Sequence, residues 1–165
     1  MVRKRNKRGS LDDLVWIIGV LLVFSLMILI FAKFTDEVNT KVQDMDIIPT
    51  SGKTAVSQMN DLYGGVIDNS FLLLTVGLAI VALIFAFLVV IHPIFFVFYF
   101  IFLTIIIFVS GAVSNIYQSA AAEPALASIA AKLTMTSHIM TYLPFIIGVF
   151  GFLIAIVMYK TWQER

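Results

Sequence analysis

The sequence predicts an all-α fold: an integral membrane helical bundle with four transmembrane helices, of which spans two and three form a tight hairpin. Three observations lead there. Hydrophobic residues make up 61% of the 165 residues, and the mean hydropathy is +1.02. A soluble domain of this size must also present polar surface and rarely reaches such values. Charged residues are only 13% and are grouped, so that four stretches, Leu14–Ala32, Phe71–Ile91, Ile94–Val113 and Ile139–Tyr159, hold no Asp, Glu, Lys, Arg or His. Each is close to the roughly 20 apolar residues that cross a hydrocarbon core of about 30 Å. Lipid gives the backbone no hydrogen-bond partner, which requires each segment to satisfy itself as a helix. The runs are too long and too uniform for the alternating strands of a membrane barrel.

Residues 1–13 form a basic tail with Arg3, Lys4, Arg5, Lys7 and Arg8. Ser10 is a candidate N-cap, and Asp13 places a carboxylate near the positive end of the helix that follows. The first span covers 14–34. Trp16 suits one interface, and Lys33 can snorkel to the other. The run is too long for a signal peptide and lacks an Ala-x-Ala site. Arg8-Gly9-Ser10 resembles an archaeal pilin leader, but Leu14 stands where a Glu is expected and three further spans follow.

Residues 35–69 are expected to form an acidic polar loop. Asp36, Glu37, Asp44, Asp46, Asp61 and Asp68 face only Lys41 and Lys53, a net charge of −4. Pro49, Gly52 and Gly64-Gly65 punctuate it, and the stretch before Pro49 can extend the first helix beyond the membrane. Spans two (70–91) and three (94–117) are separated only by His92-Pro93. As one helix, Phe71 to Val113 would run roughly 65 Å, twice the bilayer core, so the chain must turn back. Pro93 breaks the preceding helix and suits the first position of the next. Residues 118–138 are Ala-rich, with Glu123-Pro124 as a start signal. Leu126, Ile129 and Leu133 at helical spacing predict a short interfacial helix or a re-entrant loop packed on the bundle. The fourth span covers 139–160, with Pro144 near its start and Tyr159, Lys160 and Trp162 as interfacial anchors before a short tail, 161–165.

Lys and Arg near the span ends set orientation. Five basic residues in the first tail, with Lys160 and Arg165 at the other end, predict both termini in the cytoplasm. The two longer connections then lie on the opposite side. His92 has the titration range of a proton switch, but with no second titratable group in the adjoining spans it reads as a polar marker of the turn. His138 reads the same way. Gly77, Ala79, Ala82, Ala86, Ser110, Gly111, Ser114, Gly148 and Gly151 allow close helix contact, within the chain or by self-association. The basic tail is first a topogenic signal, and it also suits anionic lipid or nucleic acid.

No His-Glu-x-x-His, Gly-x-Ser-x-Gly, phosphate loop or pair of intramembrane carboxylates occurs. No enzyme activity, catalytic residue, cofactor, metal or small-molecule substrate is therefore expected. The absence of cysteine excludes disulfides and thiolate chemistry. The basic tail, the single first span, the polar loop and the His92-Pro93-Ile-Phe-Phe96 hairpin between aromatic-rich spans resemble, in layout, small multi-span virion membrane proteins of tailless membrane-containing DNA viruses of prokaryotes. That resemblance implies a structural role: shaping a virion membrane and linking the bilayer to capsid or genome. The expected partners are the lipid bilayer and other membrane or capsid proteins. The alternatives from other classes are a phage holin, and an accessory subunit of a larger transport, secretion or respiratory complex.

Overall fold

Every regular element among the described residues is helical, and no strand occurs there. The computed structural model describes residues 11–88 and 93–163. Among these residues four helices are long and apolar enough to cross a membrane: Ile18–Asp44, Thr50–Val81, Phe96–Ala121 and Leu143–Lys160. This agrees with an integral membrane protein.

Helix α1 runs Leu11–Asp44, 34 residues. That is about 51 Å of helix, well beyond a bilayer core of about 30 Å. Its polar end therefore carries on past the apolar run, as the sequence before Pro49 suggests. Asn39 and Gln43, Asp36 and Thr40, and Lys33 and Glu37 pair at four-residue spacing along it. Residues 45–49 then turn the chain, and Pro49 leads into α2 (Thr50–Leu62) with a fixed φ of −59°.

The largest departure from expectation follows. Residues 35–69 are not an irregular loop. The α1 extension and α2 make a helical hairpin, and α2 passes through a π turn (Tyr63–Ile67) straight into α3 (Asp68–Leu88). Gly64-Gly65 does not break the helix. A wider turn absorbs the pair, and the rod continues from residue 50 to 88.

Helix α4 (Pro93–Ala121) begins at the predicted proline, whose missing N–H costs nothing in a first turn. The connection 89–92, with His92, lies outside the described residues. Among those described, α4 packs along α7 and α1, while α3 packs along α7 and α6; α3 and α4 make at most slight contact with each other. The two spans expected to pair as a hairpin thus each rest on α7 (Leu143–Gln163).

The Ala-rich segment forms two helices, α5 (Ala127–Lys132) and α6 (Thr134–Thr141), broken at Leu133. Ile139 and Met140 belong to α6 and not to the fourth span. Tyr142 interrupts the helix, and α7 restarts with Pro144 in its first turn. Both short helices turn their apolar side inward: Ile129, Leu133, Ile139 and Met140 are buried. They pack on the same end of the bundle as Leu29, Ala32, Phe71, Val113, Tyr117 and Leu143. The rest of the bundle shows large apolar side chains outward, Phe108 at 80% exposure and Phe145 at 71%, the surface a lipid solvent favours.

Candidate functional site

The polar chemistry gathers where α5 and α6 close one end of the bundle. Asp68, the first residue of α3, is only 3% exposed. The backbone N–H groups of Met135 and Thr136 donate to its Oδ2 and Oδ1 at 2.8 and 2.7 Å. These are first-turn donors of α6, which have no acceptor within their own helix. Asp68 therefore caps a helix 67 residues away in sequence, and its negative charge faces the positive end of that helix. Thr136 Oγ1 is buried beside this cap with no hydrogen-bond partner among the described residues.

Helix α4 supplies the second tie. Ser137 Oγ donates to the Ala130 carbonyl at 3.0 Å. This commits its proton, so the Tyr117 hydroxyl 3.1 Å away is the donor to Ser137 Oγ. Ser114 Oγ donates to the Thr141 carbonyl at 3.0 Å, and Gln118 Nε2 donates to Ser114 Oγ at 3.0 Å.

The third tie comes from α1. Lys132, in the last turn of α5, donates to Asp36 Oδ1 at 2.6 Å, and Asn60 Nδ2 of α2 reaches the same oxygen at 3.3 Å. Asp36 lies past the apolar part of α1. The Lys132 ammonium holds its carboxyl below the ordinary carboxylate value, aided by Asn60 and opposed by slight burial. The C-terminal end of α5 passes close to the π turn: a Cβ at Gly64 would sit 3.7 Å from the Lys132 carbonyl oxygen, in ordinary contact. Helices α1, α3 and α4 thus all place polar anchors on the α5–α6 cap.

No protein-family model, curated protein or solved structure matches this chain. The functional reading rests on its own geometry.

Inside the spans the polar groups are spent locally. The hydroxyls of Ser25, Thr35, Thr75, Thr104 and Ser110 each donate to a carbonyl three or four residues back. A bond between helices runs from Tyr99 Oη to the Gly151 carbonyl at 2.7 Å. Among the described residues no group of three or more His, Cys, Asp and Glu could hold a metal ion.

The residues singled out by sequence do not converge on this site. Arg3, Lys4, Arg5, Lys7, Arg8, Ser10 and His92 lie outside the described residues. Trp16 and Trp162 fall within α1 and α7, but their side chains are outside the described ones. Pro93 opens α4. Lys33 pairs with Glu37 at 3.3 Å. Tyr159 is half-exposed, its ring 6.1 Å from Phe96, and Lys160 lies in the last turn of α7. His138 is exposed on α6, with Nδ1 2.8 Å from the Thr134 carbonyl oxygen and its ring stacked on Tyr142. Sequence reasoning counted Asp68 only as one of six acids. Its place directly before an apolar run is the one local signal, and that signal points to a cap of its own helix, not of α6.

Proposed function

We propose that the chain is a non-enzymatic structural integral membrane protein that joins a bilayer to a protein or nucleic-acid layer, as in a virion membrane. The supporting observation is the α1–α2 hairpin. The acidic segment is a stiff arm, continuous with two spans and tied at its base to the cap through Asp36, Lys132 and Asn60. A rigid arm holds a partner at a set distance from the membrane, which an irregular loop would not. The hydroxyls bonded within their own spans also suit a scaffold better than an ion route.

In this reading both termini lie in the cytoplasm, and the arm and cap lie on the opposite face. The basic tail meets anionic lipid, genome or capsid, while the acidic arm meets a second layer. His92-Pro93 makes a tight reversal between α3 and α4, and Trp16, Lys33, Tyr159, Lys160 and Trp162 sit at the interfaces. Single cysteines at Asp44 and Ser128 should label from one side of the membrane, and those at Asn6 and His92 from the other. Labelling of position 92 together with position 44 would overturn the four-span topology.

The role itself is tested by purifying particles or membrane complexes from a producing culture. The chain should be present at a fixed ratio to the major proteins. Its absence, together with timed lysis and sudden depolarisation on expression, would make it a holin. A fixed ratio to transport, secretion or respiratory subunits would make it an accessory subunit.

A further inference from the structure

The hairpin ends in a turn that is apolar where water should favour polar residues. Met45, Ile47 and Pro49 are all exposed within five residues, Ile47 at 96%. Single exposed apolar side chains are ordinary, whereas a contiguous group at the tip of a polar arm calls for an explanation.

The turn is built to present that group. Ile48 folds back over Gly52, where a Cβ would lie 3.0 Å from Ile48 Cγ2. Of two adjacent isoleucines, one is tucked in and the other projects. The two helices are clasped beneath the turn: Lys53 Nζ donates to the Gln43 carbonyl at 2.7 Å, and Gln43 Nε2 donates to the Lys53 carbonyl at 3.0 Å. Lys53 thereby turns its charge toward the negative end of α1. Asp44 and Asp46 precede the projecting Ile47 in the turn, exposed and in no ion pair among the described residues.

We propose that the tip, Asp44–Pro49, is a docking knob for a soluble protein layer facing the membrane, with Ile47 seated in an apolar pocket whose rim carries Lys or Arg. Charge selects this occupant. An anionic lipid surface would repel the two aspartates. A second copy of the tip would bring like charges together, which specific interfaces avoid. A cationic rim complements them. Because the turn is preorganised, little ordering cost opposes docking.

The proposal rests on the structural role above and deepens it by naming the partner's chemistry. The test places a photoreactive benzophenone side chain at position 47 of the full chain in native membranes, with position 55 on the exposed side of α2 as the control. The expected result is one dominant protein adduct at 47 and none at 55, the crosslinked peptide carrying apolar residues flanked by Lys or Arg. Asp44→Lys with Asp46→Lys should lower the yield at least tenfold. Ile47→Ser, read from a benzophenone at position 45, should do the same without altering charge. No adduct, an adduct to lipid or to a second copy, or a yield indifferent to charge reversal overturns the knob. The ratio of the chain to the major proteins is measured in the same preparation. A fixed ratio without a tip adduct overturns the knob alone, and a tip adduct without a fixed ratio overturns the structural role alone.

Discussion

The two halves of the bundle are held by different forces. At the capped end, Asp68, Tyr117, Ser114 and Lys132 bond across elements, and the fully buried side chains Leu29, Phe71, Tyr117, Leu133 and Met140 cluster there. Away from the cap, the hydroxyls of Thr75, Thr104 and Ser110 bond within their own helices. Contact there is mostly apolar, with a Tyr99–Gly151 bond between α4 and α7. Lipid tails are as apolar as leucine, so burial alone gives little drive to bring helices together in the lipid-facing half. The capped half has backbone groups that must be satisfied and the polar side chains to do it. It should therefore specify the arrangement, while the other half adds packing.

Substitutions can break or sharpen this contrast. Asp68→Ala should have the largest effect. It strands the buried N–H of Thr136 and the part-buried N–H of Met135, and each unsatisfied group costs about 1–3 kcal/mol, so roughly 3 kcal/mol of stability should go. A depressed Tm in detergent, with faster amide exchange at Met135 and Thr136, would show it. A Tm unchanged from the parent would mean the cap does not organise that end.

Gly151→Ala probes the lipid-facing half. A Cβ at position 151 would overlap the Leu103 side chain. The leucine must change rotamer, an overpacking cost of about 1–3 kcal/mol, read as the same kind of Tm shift. A larger loss than that of Asp68→Ala would invert the comparison.

Thr136→Val has the opposite sign. It keeps the shape and removes a buried hydroxyl that has no partner, so stability should rise by about 1 kcal/mol. A fall would show that the hydroxyl is bonded in the native protein, to an ordered water for example. Tyr99→Phe should cost only about 0.6 kcal/mol, the average for a polar contact between membrane helices. Thermal unfolding beside the parent protein would resolve it from the Asp68 loss.

Lys132→Met should also have a small effect, at most about 1 kcal/mol, because the pair with Asp36 is solvent-accessible and screened by salt. Its pH dependence gives the sign. The folded carboxyl of Asp36 is held below its unfolded value, so the stabilisation is complete above the unfolded pKa. It fades as pH falls through the folded one. Parent and Lys132→Met should therefore differ at neutral pH and converge in acid.

Much of this architecture was legible in the sequence, and the failures share a cause. The four apolar runs, the extension of α1 before Pro49 and the helix start at Pro93 follow from local rules about burial and backbone. Gly64-Gly65 misled because its neighbours decide whether a glycine pair breaks a helix. Here α1 packs against the segment, α5 passes close to Gly64, and the helix widens to a π turn instead. Ile139 and Met140 were assigned to the fourth span because hydropathy does not distinguish a side chain buried in protein from one facing lipid. Asp68 escaped notice as an anchor because its partners are 67 and 68 residues away. Pairing at that distance leaves no pattern within a window of one helix.

The unbroken rod from α2 into α3 also has a mechanical meaning. A load on the hairpin tip is not dissipated in slack chain but passes along a stiff lever into the bilayer. The π turn at Tyr63–Ile67 is the compliant joint of that lever, since it departs from the α-helical ladder and two of its residues are glycine. Asp68 is the next residue, so bending at the joint pulls first on the carboxylate that fastens the cap.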